Sequence, residues 1–167
     1  MADAIELFDS SIAIENCRAQ SEAGAGILIS GTKSAPTLLR NQCRQNKQGG
    51  ISFEHGARGK AENNVCEENQ YAGIMARGAE TSPELVNNQC SGNEHFGIEF
   101  YDAHGRAERN ASEQNHWSGI AVSGSDAAPE LASNQCRNNE VDGILRAIPS
   151  RPTPTGIGCS GGADYAD

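Results

Sequence analysis

The chain has 167 residues, enough for one domain, and carries a formal net charge of -9 with a pI of about 4.9. That acidity argues against a nucleic-acid backbone or an anionic membrane surface as a partner, and no apolar run approaches the ~20 residues of a membrane span. Aromatic residues are 5% and hydrophobic residues 37% of the chain, lean for one conventional core, so order has to come from repetition.

Taken in chain order, the residues do repeat. The opening Met1-Ala2-Asp3-Ala4-Ile5-Glu6 has neither a basic nor an apolar leader region, so no signal peptide is read there. Ala4-Ile5 fits a half-copy of the later unit. A degenerate copy runs Glu15-Asn16-Cys17, Gln20, Gly26-Ile27, with two extra residues before its glycine. The pattern Asn-x-Cys-x-x-Asn-x-x-x-Gly-Ile then recurs from Asn41, Asn64, Asn88 and Asn134, and from Asn110 with Ser112 in place of cysteine. Its Gly-Ile steps, at Gly26, Gly50, Gly73, Gly97, Gly119 and Gly143, lie 24, 23, 24, 22 and 24 residues apart. A second rhythm overlies the first. Ala35-Pro36-Thr37-Leu38, Ser82-Pro83-Glu84-Leu85 and Ala128-Pro129-Glu130-Leu131 alternate with Gly59-Lys60-Ala61 and Gly105-Arg106-Ala107, so the full unit is a pair of coils.

A period of this length suits leucine-rich repeats or β-helices, but most units lack the leucines of the former. Asn, Gly and Pro interrupt every stretch, which excludes long helices and leaves β-sized pieces such as Gly97-Ile98-Glu99-Phe100. The expected fold is all-β: a right-handed parallel β-helix, a three-sheeted solenoid of about six coils of 22–24 residues. Stacked coils at ~4.8 Å turn each inward position into a ladder. One ladder runs Ile27, Ile51, Ile74, Ile98, Ile120 and Ile144, and its neighbour Ile29, Phe53, Ala76, Phe100 and Val122. Asparagines at two bends can pair amides from coil to coil. The glycine before each Ile marks a tight bend or a positive φ. Cys43, Cys66, Cys90, Ser112 and Cys136 form a further column. Its straightness suits free buried thiols better than disulfides or a tetrahedral metal cage, so no metal and no cofactor is expected.

These Asn-x-Cys-x-x-Asn-x-x-x-Gly-Ile units, with their Pro-x-Leu-x-x-Asn connections, resemble the right-handed parallel β-helix repeat proteins of the pectin-lyase-like group, over roughly residues 5 to 147. The resemblance implies a three-sheeted coil and, frequently, polysaccharide substrates handled by lyases, hydrolases or epimerases. It carries no catalytic signature, and the coils here have no long loops to wall a groove.

Three sets of residues are candidates for function. Phe100-Tyr101-Asp102-Ala103-His104-Gly105 places Asp102 and His104 two apart, suited to acid/base work, and is similar to the Asp-Pro-His-Asp motif of alginate epimerases at those two residues. The bland reading is a polar turn, since one coil earlier the chain reads Phe53-Glu54-His55-Gly56. In register, Glu54, Arg77 and Tyr101 follow one another, and with Glu99, His55, Asp102 and His104 would make one mixed-charge patch; Arg77 there reads as a surface ion pair. Gln48, Tyr71, His95, Trp117 and Val141 form a column five residues after each Cys or Ser. Its aromatic rings either hold sugars or a protein, or only brace the solenoid. Asn110-Ala111-Ser112 matches a glycosylation sequon but lies on two ladders.

The domain is read as residues 1–148. The Pro/Gly-rich segment 149–167 stands outside the repeat and holds Cys159. The favoured function is a non-catalytic surface that binds a glycan or a protein through Tyr71, His95, Trp117, Glu54, His55 and Glu99. A small carbohydrate-active enzyme using Asp102, His104, Tyr101 and Arg77 is one alternative, and end-to-end homo-oligomeric assembly through terminal coils is another. Compartment stays open, because free thiols favour a reducing one and the resemblance favours secretion.

Overall fold

A computed structural model describes residues 2–147. Among these residues there is no helix, and the strands form three parallel sheets that the chain visits in turn. Sheet A holds seven four-residue strands, Ile5–Phe8 after Ala4 and six that begin at the Gly-Ile steps, from Ile27–Ser30 to Ile120–Ser123 and Ile144–Ala147. Sheet B has six strands, among them Thr37–Leu39, Arg58–Glu62, Ser82–Val86, Arg106–Glu108 and Glu130–Ala132, and sheet C has six that include Gln42–Arg44, Gln89–Ser91 and Gln135–Arg137. Every strand pairs with its counterpart one coil away, which makes a solenoid of about six turns. The segment 149–167, with Cys159, lies outside the described residues.

The core is a set of columns. Ile27, Ile51, Ile74, Ile98 and Ile120 pair successively and are fully buried. On sheet B, Leu38, Ala61, Leu85, Ala107 and Leu131 alternate large and small, so each leucine fills the space its alanine neighbours leave. The two bends that flank sheet C are held by asparagine. Asn64 donates its backbone N–H and its Nδ2 to Asn88 Oδ1 at 2.9 and 3.0 Å, and also donates Nδ2 to Leu38 O at 3.0 Å. The same pattern links Asn41 to Asn134 on one bend and Asn46 to Asn139 on the other. Each of these asparagines follows a residue in the left-handed region, such as Arg40, Glu68, Asn87 or Gln114, with φ from 53° to 57°. Non-glycine residues pay for that conformation, and the amide ladder offsets the cost.

Two expectations need correction. The glycines before each Ile do not have positive φ. They are glycines because the next coil is close: a Cβ on Gly73 would lie 2.7 Å from Gly97 O and 2.8 Å from Cys90 Cβ. The first coil is also in a different register from the one its cysteine suggests. Arg18 pairs with Gln42 and Ala19 with Cys43, so Ala19 takes the cysteine position and Cys17 the asparagine position, its N–H donating to Asn41 Oδ1. Ser21, not Gln20, takes the next asparagine position and donates its N–H to Asn46 Oδ1. With that register the first coil keeps the common length from Cys17 to Gly26, one residue shorter between Ala19 and Ser21 and one residue longer between Ser21 and Gly26.

Cys43, Cys66, Cys90, Ser112 and Cys136 pair in sequence along sheet C. The four cysteines are buried, and Cys43, Cys66 and Cys90 carry free thiols. Contact with the thiols of Cys43 and Cys90, together with burial, pushes the Cys66 thiol well up, so it stays protonated and unreactive. Ser112 Oγ is buried here without a hydrogen-bond partner. A thiol tolerates that site better than a hydroxyl does. Ser112→Cys should therefore stabilise the protein by about 1 kcal/mol in a urea titration; a loss of stability would contradict this reading of the column.

Candidate functional site

The chain leaves sheet C and bends into sheet A through a short turn, and there the coils stack their aromatic residues. Backbone bonds hold them in line: His95 N–H donates to Tyr71 O, Trp117 N–H to His95 O, and Val141 N–H to Trp117 O. The His95 and Trp117 rings lie nearly parallel at 15°, with centroids 4.7 Å apart, and Tyr71 tilts against His95 at 4.5 Å. Trp117 is 48% exposed, and Val141 beside it 60%. Sequence reasoning missed Phe96. It is 6% exposed, lies over the outer face of sheet A with Ala72, Met75 and Ala121, and meets all three rings edge-on. Its column otherwise holds residues such as Ala72 and Ser118, so no repeat pattern marks it; only its position before Gly97 does.

Glu99 is the second residue whose role the strand pattern hides. It alternates outward between Ile98 and Phe100, yet is only 4% exposed. Arg77 covers it, donating from Nε at 3.1 Å and Nη2 at 2.9 Å to Oε2, while Tyr71 donates its hydroxyl to Oε1 at 3.1 Å. The Arg77 guanidinium also lies 4.8 Å from the centre of the Tyr71 ring, a cation–π contact. Arg77 is thus half of a partly buried, two-pronged ion pair and not a loose surface one. Burial works against its charge, but the carboxylate outweighs burial and raises its ionisation further. Tyr71 anchors the base of the ring stack through this pair.

The same environment moves Tyr71. Desolvation first, and then the Glu99 charge, raise its ionisation above the ordinary 10.0 of tyrosine. Because the folded value is the higher one, the neutral phenol's share of stability is complete below about pH 10 and is lost as pH climbs through the raised value. Ultraviolet difference titration should show the Tyr71 phenolate forming later than usual, and Glu99→Gln should bring it earlier. An unchanged titration in the variant would contradict the contact.

The remaining candidates are not gathered into one centre. Arg77 pairs in register with Glu54 and Tyr101, and Tyr101 is exposed with no side-chain partner to Arg77. His55 sits at φ 53° with Nδ1 3.1 Å from Ser30 Oγ. Asp102 sits at φ 47° and its Oδ1 accepts the Asp126 N–H at 3.2 Å. Asp9, at the matching turn of the first coil, accepts the Lys33 N–H in the same way, which makes this a turn device of the fold. His104 lines a groove over sheet B, and no side-chain hydrogen bond joins it to Asp102 among the described residues. No group of three or more His, Cys, Asp or Glu side chains is arranged to hold a metal ion among the described residues. Asn110, of the sequon, is buried within its ladder.

Comparison with known proteins agrees with this architecture. No curated protein matches the sequence. The chain is similar to the crystal structure of the periplasmic alginate epimerase AlgG, with a TM-score of 0.74 and 17% identity over 94% of this chain and 40% of that one. A mutant of the same enzyme gives 0.76 and 18% over 94% and 41%. The chain therefore spans about two fifths of the length of these enzymes. The family model described as right handed beta helix region matches residues 1–141. The chain belongs to that right-handed β-helix family.

Proposed function

We propose that the protein binds carbohydrate on the outside of its solenoid, with Trp117, His95 and Tyr71 as the platform and Arg77, held in place by the buried Glu99, as its polar border. The observation that carries this reading is the parallel His95–Trp117 stack, whose outer ring is nearly half exposed. Phe96 meets all three rings edge-on, and the Arg77–Glu99 pair and the Tyr71 hydroxyl fix the tilted Tyr71 ring against His95. A rigid apolar face with polar groups at its rim suits a sugar ring, and little conformational entropy is lost on binding. Similarity in fold to an enzyme of alginate supports a glycan over a protein as the ligand.

An enzyme is the second reading, favoured by the same structural likeness and by Asp102 and His104. Against it, Asp102 is engaged by a backbone N–H of the next coil and Arg77 by Glu99, so the four candidate groups do not converge on one point.

Trp117 is the single tryptophan of the chain, so its fluorescence reports on the platform directly. Titration with soluble glycans should shift that emission. Trp117→Ala should weaken binding, followed by calorimetry, at least about tenfold. Wild-type affinity in Trp117→Ala would overturn the platform; turnover of a glycan that is lost in His104→Ala would establish the enzyme instead.

A further inference from the structure

The outward faces of the sheets differ in how their charges are ordered along the solenoid. On sheet B, Lys60, Glu84, Arg106 and Glu130 pair in register, one to a coil, so the signs alternate at ~4.8 Å steps. Reading an alternating series of four backwards inverts it: plus, minus, plus, minus becomes minus, plus, minus, plus. A second copy laid antiparallel on the first therefore meets it with opposite charge at every rung. On sheet C the outward column runs Arg44, Glu67, Ser91, Glu113 and Arg137. That order is a palindrome, and two copies laid antiparallel about its centre bring like charge against like.

The side chains of sheet B are set for such a meeting. Lys60 is held by Glu62 at 2.8 Å and Arg106 by Glu108 at 2.6 Å, each pair within one strand. These contacts fix the two cations and leave spare N–H donors on both. Glu84 and Glu130 are exposed and have no ion-pair or side-chain hydrogen-bond partner among the described residues. The neighbouring outward column, Glu62, Val86, Glu108 and Ala132, follows the same register. With a two-fold axis midway between the coils of Glu84 and Arg106, Glu62 falls opposite Ala132 and Glu108 opposite Val86, so no two carboxylates meet.

We propose that two copies of the chain pair antiparallel through the outer face of sheet B, about a two-fold axis along the strands, with Lys60 against Glu130 and Glu84 against Arg106 of the second copy. Such an interface is self-complementary, each contact being made twice. A parallel pair, about an axis along the solenoid, would set Lys60 on Lys60 and Glu84 on Glu84, which electrostatics disfavours. The matched column is also neutral on a protein of net charge -9, so the copies meet where their mutual repulsion is locally absent. Four coils of one short strand make a patch smaller than the ~800 Å² per partner of a standard interface, so the dimer is a weak one. The aromatic turn between sheets C and A lies outside this face, and the pairing does not rest on its binding a glycan.

Sedimentation equilibrium on the whole chain, from about 10 μM to about 1 mM, tests the pairing by charge exchange. Wild type should rise above its 17.6 kDa toward twice that mass. Glu84→Lys and Arg106→Glu should each stay monomeric alone, since each sets like charges together at the two central rungs. Mixed one to one they should associate again as a heterodimer, because every rung then joins opposite signs. The net charge of -9 becomes -7 in the first variant and -11 in the second. A bulk effect of charge would therefore favour association of Glu84→Lys alone. The outer pair, Lys60→Glu and Glu130→Lys, should behave in the same way, and circular dichroism checks that each variant is folded. Four results would overturn the proposal: wild type is monomeric throughout; it grows past the dimer; folded single variants associate as wild type does; or mixtures of folded variants stay monomeric.

Discussion

Asn88→Ala should destabilise the protein by about 4 kcal/mol, more than most single substitutions cost. Asn88 stands in the middle of its ladder and is 1% exposed. Its Oδ1 accepts both the backbone N–H and Nδ2 of Asn64. Its Nδ2 donates to Ala61 O at 2.8 Å and to Asn110 Oδ1 at 3.0 Å. Alanine removes all four bonds and strands polar groups on two neighbouring coils where water has little access. Each such group costs about 1–3 kcal/mol, and the loss propagates because ladder bonds polarise one another. Asn139, in the other ladder, is only partly buried, so Asn139→Ala should cost clearly less. Urea unfolding of the two variants measures the difference, and equal losses would show that the ladder does not hold the coils.

Gly97→Ala should be nearly as damaging, although it adds one methyl group. The new Cβ would lie 2.6 Å from Gly119 O and 2.7 Å from Ser112 Cβ, both fixed by the adjacent coil. Neither atom belongs to a flexible side chain, so the coils themselves have to part. Roughly 3 kcal/mol is expected. Gly143 is the control. It holds the same place in the last described turn, but among the described residues an added Cβ there meets only Cys136 Cβ, at an ordinary 3.5 Å. Gly143→Ala should be close to neutral. Thermal melts of the pair test the reason for the glycine: a positive-φ requirement would penalise both, and close packing penalises Gly97 alone.

The fold was legible because its stacking repeats each requirement at a fixed interval. Glycine is needed wherever the next coil approaches, and asparagine wherever a bend buries a backbone group, so both recur and the period can be counted. The first coil misled for a related reason. Cys17 resembles the column cysteines, yet the chain uses Ala19 there, since any small side chain fits that space. The asparagine position can hold Cys17 because, at that rung, a backbone N–H to donate to Asn41 is enough. The left-handed residues before each asparagine were not legible at all. Arg40, Glu68 and Gln114 share no chemistry, only a φ.

The alignment of the candidate platform's rings was legible in outline. Five-residue spacing after the cysteines places Tyr71, His95 and Trp117 in line. What spacing leaves out is lateral contact between turn and sheet, so Phe96 and the burial of Glu99 emerge only when the turn is seen lying over the face of sheet A. The mixed-charge patch dissolves for the opposite reason. Glu54, Arg77 and Tyr101 share a column, but Asp102 is turned to the next coil and His104 to the groove over sheet B.

Every ladder and contact described above requires parallel strands in the stated register, and nuclear magnetic resonance can test that through the hydrogen bonds themselves. A scalar coupling across the bond from Ile98 N–H to Gly119 O, 2.9 Å long, should connect the Ile98 nitrogen to the Gly119 carbonyl carbon. Detection of that coupling, and of its counterpart from Ile74 to Gly97, is the expected result. Couplings from these amides to carbonyls in any other register would contradict it.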